Sequence, residues 1–428
     1  MRGMRVLVIG GGAREHALCW RLASSATIEE VVCAPGNVGI AEAARLRAVD
    51  PVHPAAVVAL STEEAVDLVV VGPEAPLVAG VADALAEAKI PVFGPSAGAA
   101  RIESSKAFAK QVMAEAGVAT AASWAGEDTA GALAALDRFG PPYVVKADGL
   151  AAGKGVVVTT DRDAAERAVR AALVDDVFGD AGARLVVEAH LDGPEVSAFA
   201  VADGEQVRVL SSAQDYKRAG DGDRGPNTGG MGAYSPVYLG GGVGDGELRD
   251  TVFAPVLAAL RDRGTPYVGV LYAGMILTQD GPQVLEFNAR FGDPEAQVVL
   301  PRLRSDLGAL LAGCAHGELG AVAPLEWDPR ACVGVVLASG GYPGEHRTGL
   351  PISGLTELAA DRDVAVFHAA TRREGDRLVT AGGRVLTVTA FGDTVADARS
   401  TAYAAADRVS FEGLTRREDI GAAAAEVG

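Results

Sequence analysis

The chain has few cysteines, few aromatic residues and no long apolar run. Its four cysteines (Cys19, Cys33, Cys314 and Cys332) are scattered, without a C-x-x-C pair or a spacing typical of a metal site. This usage is typical of an intracellular protein whose thiols stay reduced, and we predict a cytoplasmic location. No apolar stretch reaches the roughly 18 residues of a membrane-spanning helix, so the sequence predicts no membrane partner.

Basic residues are also fewer than acidic residues. Lysine and arginine number 38 against 56 aspartates and glutamates, which gives a net charge of -18 at pH 7. A nucleic-acid-binding surface is usually a basic stripe, so this balance argues against nucleic acid as a partner. A small anionic ligand needs only a local cluster of lysine, arginine and backbone N–H groups. The apolar content of 49% and the length of 428 residues predict a globular protein of about two to four domains.

The N-terminal part alternates short apolar strands with helical stretches. Strands are predicted at 5–9, 30–33, 66–71 and 91–93, and helices at 13–22 and 77–89. Such alternation predicts a doubly wound α/β domain with a parallel sheet, which we place at residues 1–102. Ligands of these sheets bind at the carboxyl ends of the strands, where the loops Gly10–Gly12, Pro35–Asn37 and Gly72–Pro76 lie.

The first glycine turn resembles a dinucleotide motif but is incomplete. Gly10 and Gly12 fit the pattern G-x-G-x-x-G, whereas Glu15 stands at the third glycine position, which argues against NAD. The turn opens a helix whose first N–H groups are unpaired, so it favours an anion, and Arg14 suggests a phosphate monoester. A turn that serves only close packing is the alternative.

A second pattern in this region, Gly94–Gly98, matches the esterase motif G-x-S-x-G. Pro95 more simply makes a turn, and Ser96 is predicted to cap a helix over 97–116. No histidine lies in a motif that would mark it as the partner base. We therefore predict no esterase site.

A glycine-rich segment lies between two strands predicted at 143–147 and 156–160. It contains Gly149, Gly153, Lys154 and Gly155. The spacing is one residue short of a P-loop, Gly155 replaces the serine or threonine that would hold Mg2+, and a strand follows in place of a helix. We predict a hairpin whose backbone N–H groups fold over triphosphate oxygens, with charge supplied by Lys146 and Lys154.

The segment 284–295 combines hard oxygen donors with an arginine. Leu285 and Phe287 alternate with Glu286 and Asn288, which predicts a strand that buries the apolar pair and presents the polar pair on its other face. A carboxylate and an amide oxygen are ligands that Mg2+ takes when it is shared with substrate phosphates. Arg290 follows, and its planar fork suits a carboxylate or a phosphate. The alternative is a strand edge with solvated charges.

Acidic residues also lie near another predicted strand end. Glu188 ends a strand and Glu195 follows it, so both are candidates for contacts with adenine and ribose, with surface salt bridges as the alternative. Residues 214–232 form a long predicted loop, and such loops in compact domains are usually functional or disordered. Residues 328–428 change to antiparallel strands with an alanine-rich helix, which predicts a separate α+β domain.

Together these features indicate ATP-dependent chemistry in which a substrate carboxylate attacks the γ-phosphate. The sequence resembles the ATP-grasp superfamily and, within it, the glycinamide ribonucleotide synthetase family. The resemblance covers essentially the whole chain and rests on segments 14–17, 34–37, 71–77, 146–156, 214–218, 225–232, 286–295 and 338–343. Ala13 stands where the family usually has glycine, and Tyr216 where histidine is common; neither difference removes a charged group.

The resemblance implies a multidomain α/β and α+β architecture with four parts. These are an N-terminal ribose-phosphate-binding domain at 1–102, an ATP-grasp domain at 103–121 and 188–327, a lid at 122–187, and a C-terminal domain at 328–428. It also implies the reaction: ATP phosphorylates glycine, and 5-phosphoribosylamine attacks the glycyl phosphate, giving glycinamide ribonucleotide, ADP and phosphate in purine biosynthesis.

The resemblance further implies roles for individual residues. ATP is assigned to Lys106, Lys146, Gly149, Gly153, Lys154, Gly155, Glu188 and Glu195. Substrates are assigned to Gly12, Arg14, Glu15, Asn37, Pro73, Glu74, Lys217 and Arg290, of which Arg14, Asn37 and Glu74 line the ribose-phosphate end. Glu286 and Asn288 would hold Mg2+, with Mn2+ as an alternative. Arg290 is the candidate for glycine's carboxylate and the acyl phosphate, while Asp215 and Asp293 would position glycine's amino group or the attacking amine.

Two other functions remain as alternatives. A related carboxylase acting on bicarbonate would keep the ATP site but change the N-terminal loops and the 214–232 segment. A non-catalytic nucleotide-binding module would be expected to lack Glu286, Asn288 or Arg290, and all three are present. We expect a monomer whose partners are the small molecules ATP, glycine and 5-phosphoribosylamine.

Overall fold

The structure, a computed structural model, describes residues 3–150, 155–238 and 244–427. The N-terminal domain is built on a five-stranded parallel sheet. In spatial order its strands are Arg45–Leu46, Ile28–Pro35, Met4–Gly10, Leu68–Val71 and Val92–Phe93. Its helices are Ala13–Ala23, Pro54–Glu63, Glu74–Val78, Val81–Glu87 and Ala97–Ser104. The doubly wound α/β arrangement expected from the alternating pattern is therefore present.

Two predicted helices are each divided in the structure. The helix expected at 77–89 begins earlier, at Glu74, and is broken at Gly80, whose φ of +83° favours glycine. The helix expected at 97–116 is broken at Ser105, whose hydroxyl accepts from Phe108 N at 3.1 Å and so caps a second helix, Lys106–Ala116. The break places Lys106 in the first turn of a new helix.

The central domain is a four-stranded antiparallel sheet covered on both faces. Its strands, in spatial order, are Val207–Val209, Glu195–Asp203, Val268–Thr278 and Gly281–Asn288. Along the second strand Ala198 and Ala200 pack in one core with Phe108, while Phe199 and Val201 pack in the other with Leu307. The covering helices are Lys106–Ala116, Ala254–Asp262 and Leu307–Ala315. Because successive side chains point to opposite faces, the sheet packs against helices on both sides.

A smaller unit is inserted between the first helix of the central domain and its sheet. Its antiparallel strands, in spatial order, are Ser123–Gly126, Leu185–Glu188, Tyr143–Ala147 and Val156–Thr159. The helices Thr129–Phe139 and Arg162–Leu173 pack on one face around a separate apolar core. This unit occupies most of the segment 122–187, for which the sequence predicted a lid.

The C-terminal sheet includes strands from the segment that was predicted to be a long loop. Its spatial order is Gln214–Asp215, Gly232–Ser235, Ala331–Ala338, Arg384–Gly392 and Val364–His368, and the helix Val395–Ala406 covers it. Between the first two strands lies a hairpin, Arg218–Gly220 with Arg224–Asn227. The loop prediction for 214–232 was therefore wrong: its backbone groups pair with the C-terminal sheet and with one another.

Short elements complete the described chain. A second hairpin pairs Thr371–Glu374 with Arg377–Thr380. Further helical segments are Ile40–Glu42, Gly179–Gly182, Asp245–Leu248, Arg249–Phe253, Ala296–Val299, Leu300–Arg302, Leu319–Ala321, Leu355–Leu358 and Ala422–Val427. Within residues 3–150, 155–238 and 244–427, no helix combines the length and apolarity needed to cross a bilayer.

Candidate functional site

The end of strand Gly281–Asn288 presents an acid and an amide toward the cleft. A register shift after Gly274 leaves Leu285 without a cross-strand partner, so Val284 and Phe287 fill the core. The prediction that Leu285 is the core partner of Phe287 was therefore wrong, because a bulge inserts one residue there. Glu286 and Asn288 still share the opposite face, as predicted.

The carboxylate of Glu286 lies among positive charges. Burial raises the pKa of Glu286, but Lys217, Lys146 and Lys106 together outweigh burial, so that pKa lies below its usual value. The Lys217 ammonium is 4.0 Å from the Glu286 carboxylate. The group is thus ionised at neutral pH, and its oxygens with the Asn288 amide oxygen are hard donors suited to Mg2+.

These two ligands alone do not complete a metal site. Among the residues that the structure describes, no group of three or more His, Cys, Asp and Glu side chains is arranged to hold a metal ion. Mg2+ keeps near-octahedral geometry and commonly takes its remaining ligands from substrate phosphates and water. The pair of Glu286 and Asn288, with two oxygen-bearing side chains on one strand face, is compatible with that pattern.

Arg290 is held between two carboxylates from the N-terminal part of the chain. Its Nη2 lies 3.2 Å from Glu103 Oε1 and its Nε 3.4 Å from Glu74 Oε2. The other oxygen of Glu103 accepts from Ala289 N at 2.7 Å. Burial lowers the pKa of Arg290, but Glu103 and Glu74 outweigh it, so that pKa is raised and the guanidinium stays charged. Sequence reasoning missed Glu103, because it lies inside a helical pattern without any motif.

A second cluster surrounds Lys217. Its Nζ donates to Glu195 Oε2 at 2.7 Å, so the acid assigned to the ATP ribose is paired with a lysine assigned to substrate. Burial raises the pKa of the nearby Asp215 to about 7, Lys217 opposes this, and Glu295 and Glu195 add to it. Glu295, also missed as a site residue, is buried and accepts from Ser197 Oγ at 3.2 Å.

The residues assigned to ATP divide into two groups. Lys106 Nζ donates to Gly149 O at 3.1 Å, and Asp148 accepts from Ser105 Oγ at 2.9 Å and from Ala107 N at 2.6 Å. These bonds tie the start of the glycine-rich segment to the helix that begins at Lys106. Gly149 is required there, because a Cβ would lie 2.6 Å from Ala181 Cα.

Glu188 forms the second group with two lysines. Its buried carboxylate pairs with Lys146 and, at 2.7 Å, with Lys110. Burial raises the pKa of Glu188, but both lysines outweigh it, so that pKa is lowered. Lys110 had no sequence signal beyond its charge. Gly155 is buried at the start of the next strand, while Gly153 and Lys154 lie outside the described residues.

At the N-terminal glycine turn, Glu15 occupies the place predicted for an external anion. Gly12 N donates to Glu15 Oε2 at 2.6 Å, and Arg14 Nε donates to Glu15 Oε1 at 2.6 Å. A Cβ at Gly72 would overlap this carboxylate, so both glycine loops close around it. The helix start at Gly10–Gly12 is thus satisfied by its own N3 glutamate, and the phosphate site expected there stays a prediction.

The remaining N-terminal candidates, Asn37, Pro73 and Arg14, contact different parts of the chain. Asn37 Nδ2 donates to Gly11 O at 2.9 Å and to His368 O at 2.7 Å, and its Oδ1 accepts from Gly39 N at 2.9 Å. Its amide group thus joins the N-terminal loop to the C-terminal domain. Pro73 precedes the helix that starts at Glu74. Arg14 Nη1 reaches Phe291 O at 3.2 Å, which brings the glycine turn against the Arg290 segment.

Asp293 lies where the three larger domains meet. Its Oδ1 accepts from the buried Gln297 at 2.7 Å, and its Oδ2 lies 3.0 Å from Arg384 Nη2. Burial raises the pKa of Asp293, but Arg384 and Arg14 outweigh it, so that pKa is lowered. Sequence reasoning missed Arg384, which follows Ala381-Gly382-Gly383 in a different domain.

Comparison with protein-family models gives one consistent result. Residues 4–103 match the N domain of phosphoribosylglycinamide synthetase, residues 104–296 its ATP-grasp (A) domain, and residues 332–423 its C domain. The chain is 56% identical over 424 residues to a phosphoribosylamine–glycine ligase of Streptomyces coelicolor, covering 99% of this chain and 100% of that protein. A ligase of the same name from Phenylobacterium zucineum is 49% identical, covering 98% and 99%.

Solved structures agree with this assignment. The crystal structure of phosphoribosylamine–glycine ligase from Thermotoga maritima superimposes with a TM-score of 0.83 at 33% identity, covering 97% of this chain and 100% of that one. The biotin carboxylase domain of a 2-oxoglutarate carboxylase from Hydrogenobacter thermophilus, determined with MgADP and bicarbonate, has a TM-score of 0.74 at 17% identity and covers 97% and 92%. That second likeness concerns the fold alone.

Proposed function

The chain belongs to the phosphoribosylglycinamide synthetase family, and from that premise we propose that its cleft joins glycine to 5-phosphoribosylamine with ATP. The products are glycinamide ribonucleotide, ADP and phosphate, in purine biosynthesis. The observation that carries the proposal is the convergence of Glu286, Asn288 and Arg290 with Lys217 and the N-terminal loops at one end of a strand.

The reaction has two balanced steps. In the first, a carboxylate oxygen of glycine attacks the γ-phosphorus of ATP, the bond to the β–γ bridging oxygen breaks, and ADP leaves. In the second, the amine of 5-phosphoribosylamine attacks the glycyl carbonyl carbon, and the carbon–oxygen bond to phosphate breaks. The amine nitrogen loses one proton, which the departing phosphate or solvent takes up, and inorganic phosphate leaves. The protein's task in both steps is positioning and charge neutralisation.

Family members use ATP with a divalent metal, and we assign that metal to Glu286 and Asn288. Mg2+, or Mn2+ in its place, would neutralise charge on the β- and γ-phosphates when bound there. The ionised Glu286 and the amide oxygen of Asn288 supply hard donors. Lys217, 4.0 Å from Glu286, keeps that carboxylate charged and oriented.

We assign Arg290 to glycine's carboxylate and to the acyl phosphate that forms from it. Glu103 is buried and fixes one edge of the guanidinium, whereas Glu74 is more exposed and lies farther away, at 3.4 Å. Glycine's carboxylate can therefore displace Glu74 while Glu103 holds the fork in place. Before substrate binds, Glu74 and Glu103 neutralise Arg290, so that its largely buried guanidinium is not an unpaired charge.

The two remaining aspartates face different ends of the cleft. Asp215 lies with Lys217 and the metal ligands, which supports contact with glycine's amino group. Asp293 lies beside Gly12, where a Cβ would be 3.8 Å from its Oδ2, which supports contact with the attacking amine. Because the pKa of Asp293 is lowered, its carboxylate accepts a hydrogen bond from the amine and orients it without removing a proton.

ATP is assigned to the lid side of the cleft, where Lys106, Lys146, Gly149 and Gly155 lie. Glu188 holds Lys146 and Lys110 in place, so its contribution is to orient the lysines that meet the phosphates. The ribose-phosphate end is assigned to Arg14 and Glu74, with Gly12, Glu15, Asn37 and Pro73 shaping the loops around it. Glu195 acts through Lys217 in this scheme.

Trapping the acyl phosphate tests this proposal. With Mg-ATP, glycine and hydroxylamine, but no 5-phosphoribosylamine, the enzyme should release glycyl hydroxamate together with ADP. An R373M variant, changed at an exposed arginine on a C-terminal hairpin, is the control and should behave as the wild type. ADP release that ignores glycine and responds to bicarbonate would contradict the substrate assignment.

We also propose that the enzyme works as a cytoplasmic monomer. Its four cysteines are free and buried, as expected of a reducing compartment. Light scattering of the purified protein should give a mass near 43.5 kDa. A stable dimer at micromolar concentration would contradict the first half of this proposal.

A further inference from the structure

Two side chains of the C-terminal domain hold the loop Gly229-Gly230 from opposite sides. The Tyr342 hydroxyl accepts from Gly229 N at 3.0 Å. Arg384 Nη1 donates to Gly229 O and lies 3.5 Å from Gly230 O. The backbone N–H and C=O of Gly229 are therefore both bound by residues more than a hundred positions later in the chain.

The same guanidinium also binds Asp293. Arg384 Nη1 donates to Asp293 O at 2.9 Å, and Nη2 lies 3.0 Å from Asp293 Oδ2. The other carboxylate oxygen accepts from Gln297 at 2.7 Å. Backbone and side chain of Asp293 are thus both fixed, and the planar fork of arginine is suited to this double contact.

The two glycines allow this close assembly. A Cβ at Gly229 would lie 2.9 Å from Arg384 Cζ, and a Cβ at Gly230 would overlap Pro294. Gly230 also has a φ of +107°, which other residues rarely adopt. The loop can therefore pack between Arg384 and the Asp293–Pro294 turn only without side chains.

From these contacts we propose that Arg384 is a positioning residue of the ligase reaction, assisted by Tyr342. It sets the orientation of the Asp293 carboxylate and the place of the Gly229-Gly230 loop, and through it the C-terminal domain takes part in the second chemical step. The inference rests on the proposed role of Asp293 toward the attacking amine.

The alternative is that Arg384 only joins two domains. Kinetic measurements on Arg384 variants distinguish this structural role from the positioning role. R384M should lower kcat/KM for 5-phosphoribosylamine by about 10- to 100-fold, the scale expected when a reacting group is misplaced. The KM for ATP should stay within about twofold, because the contacts that the structure describes for Arg384 are with Gly229, Gly230 and Asp293 and not with Lys106, Lys110 or Lys146. R384K keeps the charge but not the fork, so it should recover only part of the loss.

A double-mutant cycle with D293N gives the decisive readout. If Arg384 acts through Asp293, D293N/R384M should be no slower than D293N alone, within about threefold. Y342F should cause a smaller loss and should not add to that of R384M. R373M serves as the control for loss of a C-terminal arginine, and thermal melting checks that each variant is folded.

The failure of this inference can be told apart from failure of the proposed function. Losses that multiply in D293N/R384M, or an R384M enzyme equal to R373M, would overturn the positioning role while wild-type turnover stands. If R384M is unfolded, R384K and Y342F carry the same test, since each keeps the packing volume at its position. Absence of wild-type turnover with glycine and 5-phosphoribosylamine would instead refute the proposed function itself.

Discussion

Replacing Glu103 with glutamine should loosen Arg290, the arginine that we propose binds glycine. Glu103 and Arg290 form an ion pair of 3.2 Å, in which the Glu103 side chain is 5% exposed and that of Arg290 19%, and the second oxygen of Glu103 accepts from Ala289 N. At that distance and an effective dielectric constant of about 20, the attraction is about 5 kcal/mol before desolvation. Because Glu74 still neutralises Arg290, we expect E103Q to lower the free energy of unfolding by about 2–4 kcal/mol.

The nearby helix offers a matched exposed pair. Glu115 pairs with Arg263 at 2.5 Å, at the surface. E115Q removes the same charge from a pair that solvent screens, so its effect on stability should be much smaller. Urea unfolding followed by tryptophan fluorescence compares the two variants with the wild type.

Activity gives the second half of this test. With the Arg290 fork no longer fixed, E103Q should raise the KM for glycine and lower kcat, while E115Q should do neither. Equal stabilities of E103Q and E115Q, or an unchanged KM for glycine in a folded E103Q enzyme, would refute the view that Glu103 orients Arg290.

Three further predictions follow from the site and from the domain contacts. E286A should abolish ligase activity at every Mg2+ concentration while the melting temperature stays near that of the wild type; activity that returns at saturating Mg2+ would contradict the metal assignment. R290K should lower kcat/KM for glycine by about 100-fold or more, because the point charge of lysine cannot replace the planar fork of arginine. A loss below threefold would contradict the assignment of glycine's carboxylate to Arg290. Burial lowers the pKa of His16 to about 3, with help from His368, and that of His368 to about 4, against about 6.5 in the unfolded chain. The unfolded state therefore binds more protons than the folded state, so the free energy of unfolding falls as pH drops from about 6.5 toward 3. Each histidine should lower the free energy of unfolding by about 2 kcal/mol between pH 7 and pH 5. Urea unfolding at pH 7 and pH 5 checks this, and a loss that is unchanged in H368N would contradict it.

The parts of the site that the sequence predicted are mostly local. Glu286, Asn288 and Arg290 lie within five residues, so strand periodicity was enough to place the first two on one face. The bulge that exchanges Leu285 for Val284 in the core was not visible, because a register shift depends on the partner strand. The break at Ser105 escaped notice for a similar reason: its hydroxyl is used by Asp148, more than forty positions away.

The residues that were missed act across domains. Glu103 and Arg384 reach Arg290 and Asp293 from other parts of the chain, and a charged residue inside an ordinary helix or strand carries no local signal of this. At Gly12 the local pattern predicted an anion at the helix start, and the structure adds that the Glu15 carboxylate accepts from Gly12 N. The segment 214–232 was predicted to be a loop because it is rich in glycine and lacks an apolar alternation; its strands are defined by pairing with the C-terminal sheet and with one another.

The central claim is that this cleft uses ATP to join glycine with 5-phosphoribosylamine. It is tested most directly by measuring ADP release from Mg-ATP with glycine, with and without 5-phosphoribosylamine generated in situ, in the wild type and in E286A. We predict steady turnover that requires both substrates, equals the glycinamide ribonucleotide formed, and is lost in E286A. ADP release that does not depend on glycine, or that continues unchanged in E286A, would contradict the account.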